Sequence, residues 1–166
     1  SVTIWKDVAG VLNADPRYFE NAQLLHQISY REAIELAFYG ASVIHPKTLQ
    51  PLQRKEIPLY VKSFLDPLKP GTSVSKGADL VPELPCFIVK KQQLLISLSS
   101  IDFSFIMEEN ISEIFHLFHE NKIKVSLIQN SAISFSVCVE DKFGNFEALK
   151  TILSKKFKVA YNENVS

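Results

Sequence analysis

The chain has 166 residues, which suits one ordinary domain or two small ones. Apolar residues make up 46% and charged residues 22%, a balance typical of a globular protein with a packed core and unlike that of a disordered chain. Eighteen basic residues balance eighteen acidic ones and no apolar run approaches the roughly 20 residues of a membrane span, so the sequence predicts neither a nucleic-acid partner nor a membrane partner.

Residues 1–65 show strands and helices in mixed order. Residues 2–5 are strand-like, and the sequence Ser29-Tyr30-Arg31-Glu32 is a capping box that predicts the start of a helix ending at Gly40. A second helix is predicted from Pro46 to about residue 55, although Pro51 interrupts its pattern. Residues 57–63 predict a strand.

Residues 66–86 are rich in proline, glycine, serine and lysine. Five of the eight prolines fall between Pro58 and Pro85. Because proline disfavours both helix interiors and central strands, we predict an extended or looped linker over 66–86.

Residues 87–166 predict a second domain. Strands are expected at 92–99, 123–129, 132–139 and 157–161, and helices at 108–121 and 145–155. The resulting order, βαββαβ, is that of the ferredoxin-like plan, with two helices on one face of a four-stranded antiparallel sheet. The predicted fold class is therefore α+β.

Cysteine and histidine residues indicate no metal site. Cys86 and Cys138 lack CxxC spacing and lie in strand-like apolar contexts, which favours reduced, buried thiols and a cytoplasmic location. His116 and His119 are three residues apart on a predicted helix, but the neighbouring Glu120 is the only acidic ligand nearby. We interpret them as part of a solvated helix face.

The strip IWKDVAGVLNADPR, residues 4–17, is the densest candidate for chemistry. The chain contains neither GxxxxGK nor GxGxxG, so the usual phosphate-binding loops are absent from its sequence. The turn Asp15-Pro16-Arg17 presents a guanidinium suited to carboxylate or phosphate, but a plain surface loop explains the same residues.

These residues resemble a known family. The strip 4–17, the stretch SYREAIELAFYGASVIHPKTLQPLQRKEIPLYVKS and the tail DPLKPGT look like the C-terminal part of the aspartokinase catalytic domain, closest to the lysine-sensitive type. Residues 87–166 resemble the ACT regulatory domain that follows in that family. The resemblance implies a remnant of an α/β amino-acid-kinase domain over 1–65, followed by the ferredoxin-like ACT domain. It also implies a cytoplasmic parent enzyme that transfers the γ-phosphoryl group of ATP, with Mg²⁺, to the side-chain carboxylate of L-aspartate.

The resemblance implies a nucleotide pocket on the first part. Arg17 matches an arginine near the ATP phosphates, and our hypothesis is that Lys6 supplies the cation that Ser42 lacks; the alternative is a surface lysine and a helix-flanking serine. The family's N-terminal KFGGTS motif has no counterpart, so we assign no catalytic residue and expect these residues alone to be inactive. The implied nucleotide-binding residues are Lys6, Asp7, Leu12, Arg17, Ser42 and Val43.

The resemblance also implies an effector site, for an amino acid such as lysine or threonine, and a homodimer formed through the ACT domains. Ser126 stands where the family has an aspartate and Ala132 where it has a glutamate, which weakens the expectation of lysine binding. Two alternatives remain: a stand-alone amino-acid-binding ACT module, and a dimerisation module without a ligand. The implied effector-binding residues are Met107, Asn110, Ile111, Val125, Ser126, Asn130 and Ser131.

Overall fold

A computed structural model describes residues 1–166. The chain forms two compact units, Ser1–Val89 and Lys90–Ser166. Each unit combines a four-stranded sheet with two helices, so the α+β class is confirmed. None of the helices has the length and apolar character needed to span a bilayer.

The first unit contains a mixed sheet in the order β1-β3-β4-β2. Strands β1 and β3 run parallel, β4 is antiparallel to β3, and β2 is parallel to β4. Its elements are β1 (Val2–Lys6), β2 (Gln27–Ser29), α1 (Tyr30–Tyr39), α2 (Pro46–Arg54), β3 (Leu59–Ser63) and β4 (Thr72–Ser75).

Helix α1 begins at the predicted capping box. The Glu32 backbone N–H donates to Ser29 Oγ at 3.1 Å, and the Ser29 N–H donates to a Glu32 carboxylate oxygen at 2.7 Å. Gly40 ends the helix at φ 129°, in the region that favours glycine. Ala33 of this helix packs into the buried cluster formed with Ile28 and Val61, which fixes α1 on one face of the sheet.

The prediction of a linker over residues 66–86 is wrong in its extent. Thr72–Ser75 forms β4 in the middle of the sheet, and the boundary between the units falls after Val89. Pro70 precedes the strand and Pro82 follows it, so neither removes a hydrogen bond from the ladder. The strand has only four residues, too few for a periodic pattern to be read.

The second unit has the predicted βαββαβ order and an antiparallel sheet in the order β6-β7-β5-β8. Both helices pack against one face, through a cluster that includes Ile96, Ile114, Phe118 and Leu149. The elements are β5 (Gln93–Ser100), α3 (Glu108–Glu120), β6 (Lys124–Asn130), β7 (Ser134–Glu140), α4 (Phe146–Leu153) and β8 (Phe157–Val165).

The two cysteines differ from each other. Cys138 lies in β7, as its strand-like context predicts, but its side chain is half-buried and not fully buried as expected. Cys86 is exposed and lies outside any strand, so the expectation of a buried thiol is wrong there. Pro82 and Pro85 both precede Cys86, and proline disfavours regular strand pairing there.

Candidate functional site

The loop after β1 is fixed to the sheet by a buried threonine. Thr72 Oγ1 accepts from the Val11 N–H at 2.8 Å and donates to the Leu25 carbonyl at 2.6 Å. Leu12 forms an isolated antiparallel bridge with Leu24. Because of these bonds, residues 11–25 form a short hairpin-like loop with the Asp15-Pro16-Arg17 turn at its tip.

The turn at the tip places a guanidinium in solvent. Arg17 Nε donates to both carboxylate oxygens of Asp15, at 3.0 and 3.1 Å, and Nη2 donates at 2.6 Å. The hydrogen bonds from the Arg17 side chain hold the pKa of Asp15 below its ordinary value. The Arg17 side chain is 77% exposed, so its Nη1 side remains open to an anion.

The two segments predicted to form the nucleotide pocket meet. Val11, beside Leu12, and Val43, beside Ser42, line the same small apolar pocket under α1. Strand β2 has the opposite direction to β1, so β2 begins at the end of the sheet where β1 finishes. Helix α1 follows β2, and a helix that packs back along β2 returns to that same end of the sheet. The backbone around Leu12 is therefore brought to the backbone around Ser42.

The charged candidates are not joined to one another. Lys6 is the last residue of β1 and is half-buried, and Asp7 is the first residue of the following loop and is exposed. No hydrogen bond or ion pair links Lys6, Asp7 and Arg17, because the Arg17 guanidinium is paired with Asp15. Of the three side chains, only Arg17 has a charged partner, which is Asp15.

In the second unit, the start of α3 lies beside the turn between β6 and β7. Asn110 Oδ1 accepts from the Met107 N–H at 2.9 Å, which caps the helix, and the Ile106 N–H donates to the Ala132 carbonyl at 2.9 Å. Ser131 Oγ lies 2.6 Å from Ser134 Oγ within that turn. The structure therefore brings Met107 and Asn110 next to the segment that contains Ser131.

Of four other predicted effector residues, Ile111 lies on α3, and Val125, Ser126 and Asn130 lie on the edge strand β6. Ile111 and Val125 are half-buried and pack against the core, whereas Asn130 is exposed at the end of the strand. Ser126 sits at a β-bulge, and its Oγ accepts from Lys90 Nζ at 2.8 Å. Lys90 Nζ also lies 3.9 Å from a Glu140 carboxylate oxygen.

Lys90 was not found from the sequence. It lies 36 residues before Ser126, and only the pairing of the folded sheet brings the two together. The result is that Ser126 already holds an ammonium group from its own chain.

One of the two histidines of α3 pairs with a neighbour. His116 Nε2 lies 3.2 Å from a Glu120 carboxylate oxygen. No cluster of three or more histidine, cysteine, aspartate or glutamate side chains occurs in the structure.

Comparisons with known proteins bear on both units. The model of the amino acid kinase family matches residues 1–63. Lysine-sensitive aspartokinase 3 of Escherichia coli is 32% identical over 154 residues, which is 93% of this chain and 34% of that protein. Aspartokinase 1, chloroplastic, of Arabidopsis thaliana is 31% identical over 146 residues, 84% of this chain and 24% of that protein. The chain is a homologue of the aspartokinases.

Solved aspartokinases share the fold across both units. The crystal structure of E. coli aspartokinase III in complex with aspartate and ADP (R-state) matches with a TM-score of 0.78 and 30% identity, covering 97% of this chain and 37% of that one. The same enzyme in complex with lysine and aspartate (T-state) matches with a TM-score of 0.75 and the same coverage. This aspartokinase homologue spans about a third or less of the length of the E. coli and Arabidopsis proteins.

Proposed function

We propose that this chain is the C-terminal part of an aspartokinase that uses ATP and Mg²⁺ to phosphorylate the side-chain carboxylate of L-aspartate. The observation that carries the proposal is homology through both units at once, over 93% of the chain in sequence and 97% in structure. A shared fold alone does not fix an activity, whereas aspartokinase similarity over 93% of the chain supports this one.

In this proposal the first unit supplies one wall of the nucleotide pocket. Arg17 binds the ATP phosphates, because its guanidinium is exposed and remains charged at any working pH. Lys6 adds a second cation at the end of β1, in place of the lysine that the family carries where this chain has Ser42. The other wall residues are Asp7, Leu12 and Val43.

We expect these 166 residues alone to be inactive. Phosphoryl transfer depends on positioning and on charge stabilisation around the γ-phosphoryl group, so a single wall of the cleft gives no turnover. Aspartate and Mg²⁺ would be bound largely by groups outside this sequence.

The second unit would be regulatory. An amino-acid effector such as lysine or threonine would bind between the start of α3 and β6, through Met107, Asn110 and Ile111 on one side. The edge strands of the ACT sheet would pair two copies into a homodimer in the cytoplasm, because an open strand edge is a template for pairing. The residues on the side of β6 would be Val125, Ser126, Asn130 and Ser131.

A chimera tests the catalytic part of the proposal. The segment would replace the matching C-terminal segment of E. coli lysine-sensitive aspartokinase 3, and aspartate-dependent ADP release would be measured. We expect ADP release from the chimera and none from the 166 residues alone. A folded chimera that binds ATP but releases no ADP with aspartate would contradict the proposal.

The Lys6→Ala variant of the same chimera tests the second cation. We expect the KM for ATP to rise while the KM for aspartate stays unchanged, because Lys6 is placed on the nucleotide side. An unchanged KM for ATP would show that Lys6 is only a surface lysine.

A further inference from the structure

The tip of the loop 11–25 is held by contacts other than those at its base. Thr72 fixes only the base of this loop. The Asp15-Pro16-Arg17 turn lies at the other end, and an exposed loop tip without further contacts moves easily. Two residues supply such contacts, Asn13 and Phe19.

Asn13 joins the two arms of the loop and ties them to a distant segment. Its Oδ1 accepts from the Gln23 N–H at 2.7 Å, and the Asn13 N–H donates to the Gln23 carbonyl at 2.9 Å. On the other side, Asn13 Nδ2 donates to the Pro85 carbonyl at 3.1 Å, and the Asn13 carbonyl accepts from the Phe87 N–H at 2.8 Å. Hydrogen bonds within the loop and hydrogen bonds to the segment 85–87 therefore meet at one residue.

Phe19 makes a second connection to the same segment. Its ring is stacked on that of Phe87, with the ring centroids 5.6 Å apart and an angle of 23° between the ring planes. The Phe19 N–H donates to the Asp15 carbonyl at 3.0 Å, and the Asp15 carboxylate holds the Arg17 guanidinium. Phe19 and Asp15 thus connect the Phe87 ring to Arg17.

This stack adds little to the hydrophobic core. Phe87 is 50% exposed, and neither Phe87 nor Phe19 belongs to the buried cluster of the first unit. Because the stacked rings remove only part of their apolar surface from water, burial is not their main contribution. Their contact instead fixes the loop tip against the segment 85–87.

We infer that Asn13 and Phe87 are positioning residues for the Arg17 guanidinium, and that the segment 85–87 supports the nucleotide wall. The inference rests on the proposed function of the first unit, in which Arg17 binds the ATP phosphates. Neither positioning residue contacts ATP, because each acts through the turn that carries Arg17. The first unit ends at Val89, so a displacement of the chain that leads into the second unit would be transmitted to this turn.

A double-mutant cycle in the chimera tests the role of Asn13. Asn13→Ala removes two side-chain hydrogen bonds and should raise the KM for ATP about three- to fivefold, with an unchanged KM for aspartate. Because Asn13 acts through Arg17, the same substitution in an Arg17→Ala background should change the KM for ATP by less than about 1.5-fold. An equal rise in both backgrounds would overturn the inference.

Phe87 allows a test with a conservative variant. Phe87→Ala removes the ring stack and should raise the KM for ATP about two- to fivefold, whereas Phe87→Tyr keeps the ring and should stay within about 1.5-fold of the unchanged chimera. The matched control is Ser29→Ala, which destabilises the same unit by removing the cap of α1, where the Ser29 hydroxyl bonds to Glu32 and not to the loop 11–25. The KM for ATP should be unchanged in this control. A rise as large as that in Phe87→Ala would indicate a general loss of stability and would overturn the inference.

Amide hydrogen exchange tests the positioning in the 166-residue chain itself. The Tyr18 and Phe19 N–H groups both donate to the Asp15 carbonyl, so their exchange reports opening of the turn. In Asn13→Ala we expect both to exchange about three- to tenfold faster, while the Gly40 amide at the end of α1 stays unchanged. Unchanged exchange at the turn would overturn the inference.

The two measurements separate this inference from the kinase proposal. A chimera that releases no ADP would contradict the kinase proposal, and the exchange rates in the 166-residue chain would still support or overturn the positioning of the turn. An active chimera in which Asn13→Ala and Arg17→Ala have independent effects would overturn the inference and leave the kinase proposal intact.

Discussion

Thr72→Val should destabilise the first unit strongly although the two side chains have nearly the same shape. Thr72 is fully buried, and its hydroxyl is bonded to both the Val11 N–H and the Leu25 carbonyl. Valine would leave these two buried backbone groups unpaired, at about 1–3 kcal/mol each. The additional buried methyl group offsets about 1 kcal/mol of this, so the net loss should be about 1–5 kcal/mol.

Urea unfolding measures this loss. Trp5, the only tryptophan, lies on β1 and reports on the first unit through its fluorescence. Thr72→Ser keeps the hydroxyl and should lose only about 1 kcal/mol. Ser73→Ala removes an exposed hydrogen bond to the His26 carbonyl and should lose less than about 0.5 kcal/mol. A loss from Thr72→Val no greater than that from Thr72→Ser would refute the proposed role of the hydroxyl.

Three further results are expected. Gly71→Ala should cost more than about 3 kcal/mol of unfolding free energy, because its Cβ would lie 2.0 Å from a carbonyl oxygen of β3. Gly77 also has a positive φ but open space around it, so Gly77→Ala should cost about 1–2 kcal/mol. Equal shifts of the two variants in thermal denaturation would contradict this. The pKa of Asp15, read by NMR, should lie below its ordinary value and rise in Arg17→Ala. Because the Asp15 pKa is lowered in the folded state, its pairing stabilises the fold above the unfolded pKa, and this stabilisation disappears as the pH falls through the folded pKa. An unchanged NMR titration midpoint would exclude the pairing. Asp141→Ala should cost about 1–2 kcal/mol in chemical denaturation, because both carboxylate oxygens accept from backbone N–H groups at the start of α4; a loss below about 0.5 kcal/mol would contradict that role.

The elements with local signals were predictable. Ser29 and Glu32 lie within one helical turn, and the alternation along β7 places Phe135 and Val137 inside without reference to any other strand. The split βαββαβ order followed from such signals alone. Strand β4 was missed because its four residues sit between prolines and are held mainly by bonds from distant segments.

For the candidate sites, the sequence predicted which residues take part but not how most of them are arranged in space. The turn between Asp15 and Arg17 is local, so its geometry follows from the sequence. The bond between Lys90 and Ser126, and that between Asn13 and Pro85, depend on how separate segments align. Sequence patterns carry no signal for either.

The central claim is that this chain holds one wall of the ATP pocket of an aspartokinase. The most direct test is the KM for ATP in the chimera with E. coli lysine-sensitive aspartokinase 3, comparing Arg17→Ala with Arg54→Ala, an exposed arginine at the end of α2. We predict about a tenfold rise for Arg17→Ala, an unchanged KM for aspartate and no effect of Arg54→Ala. The same KM for ATP in both variants and in the unchanged chimera would contradict the claim.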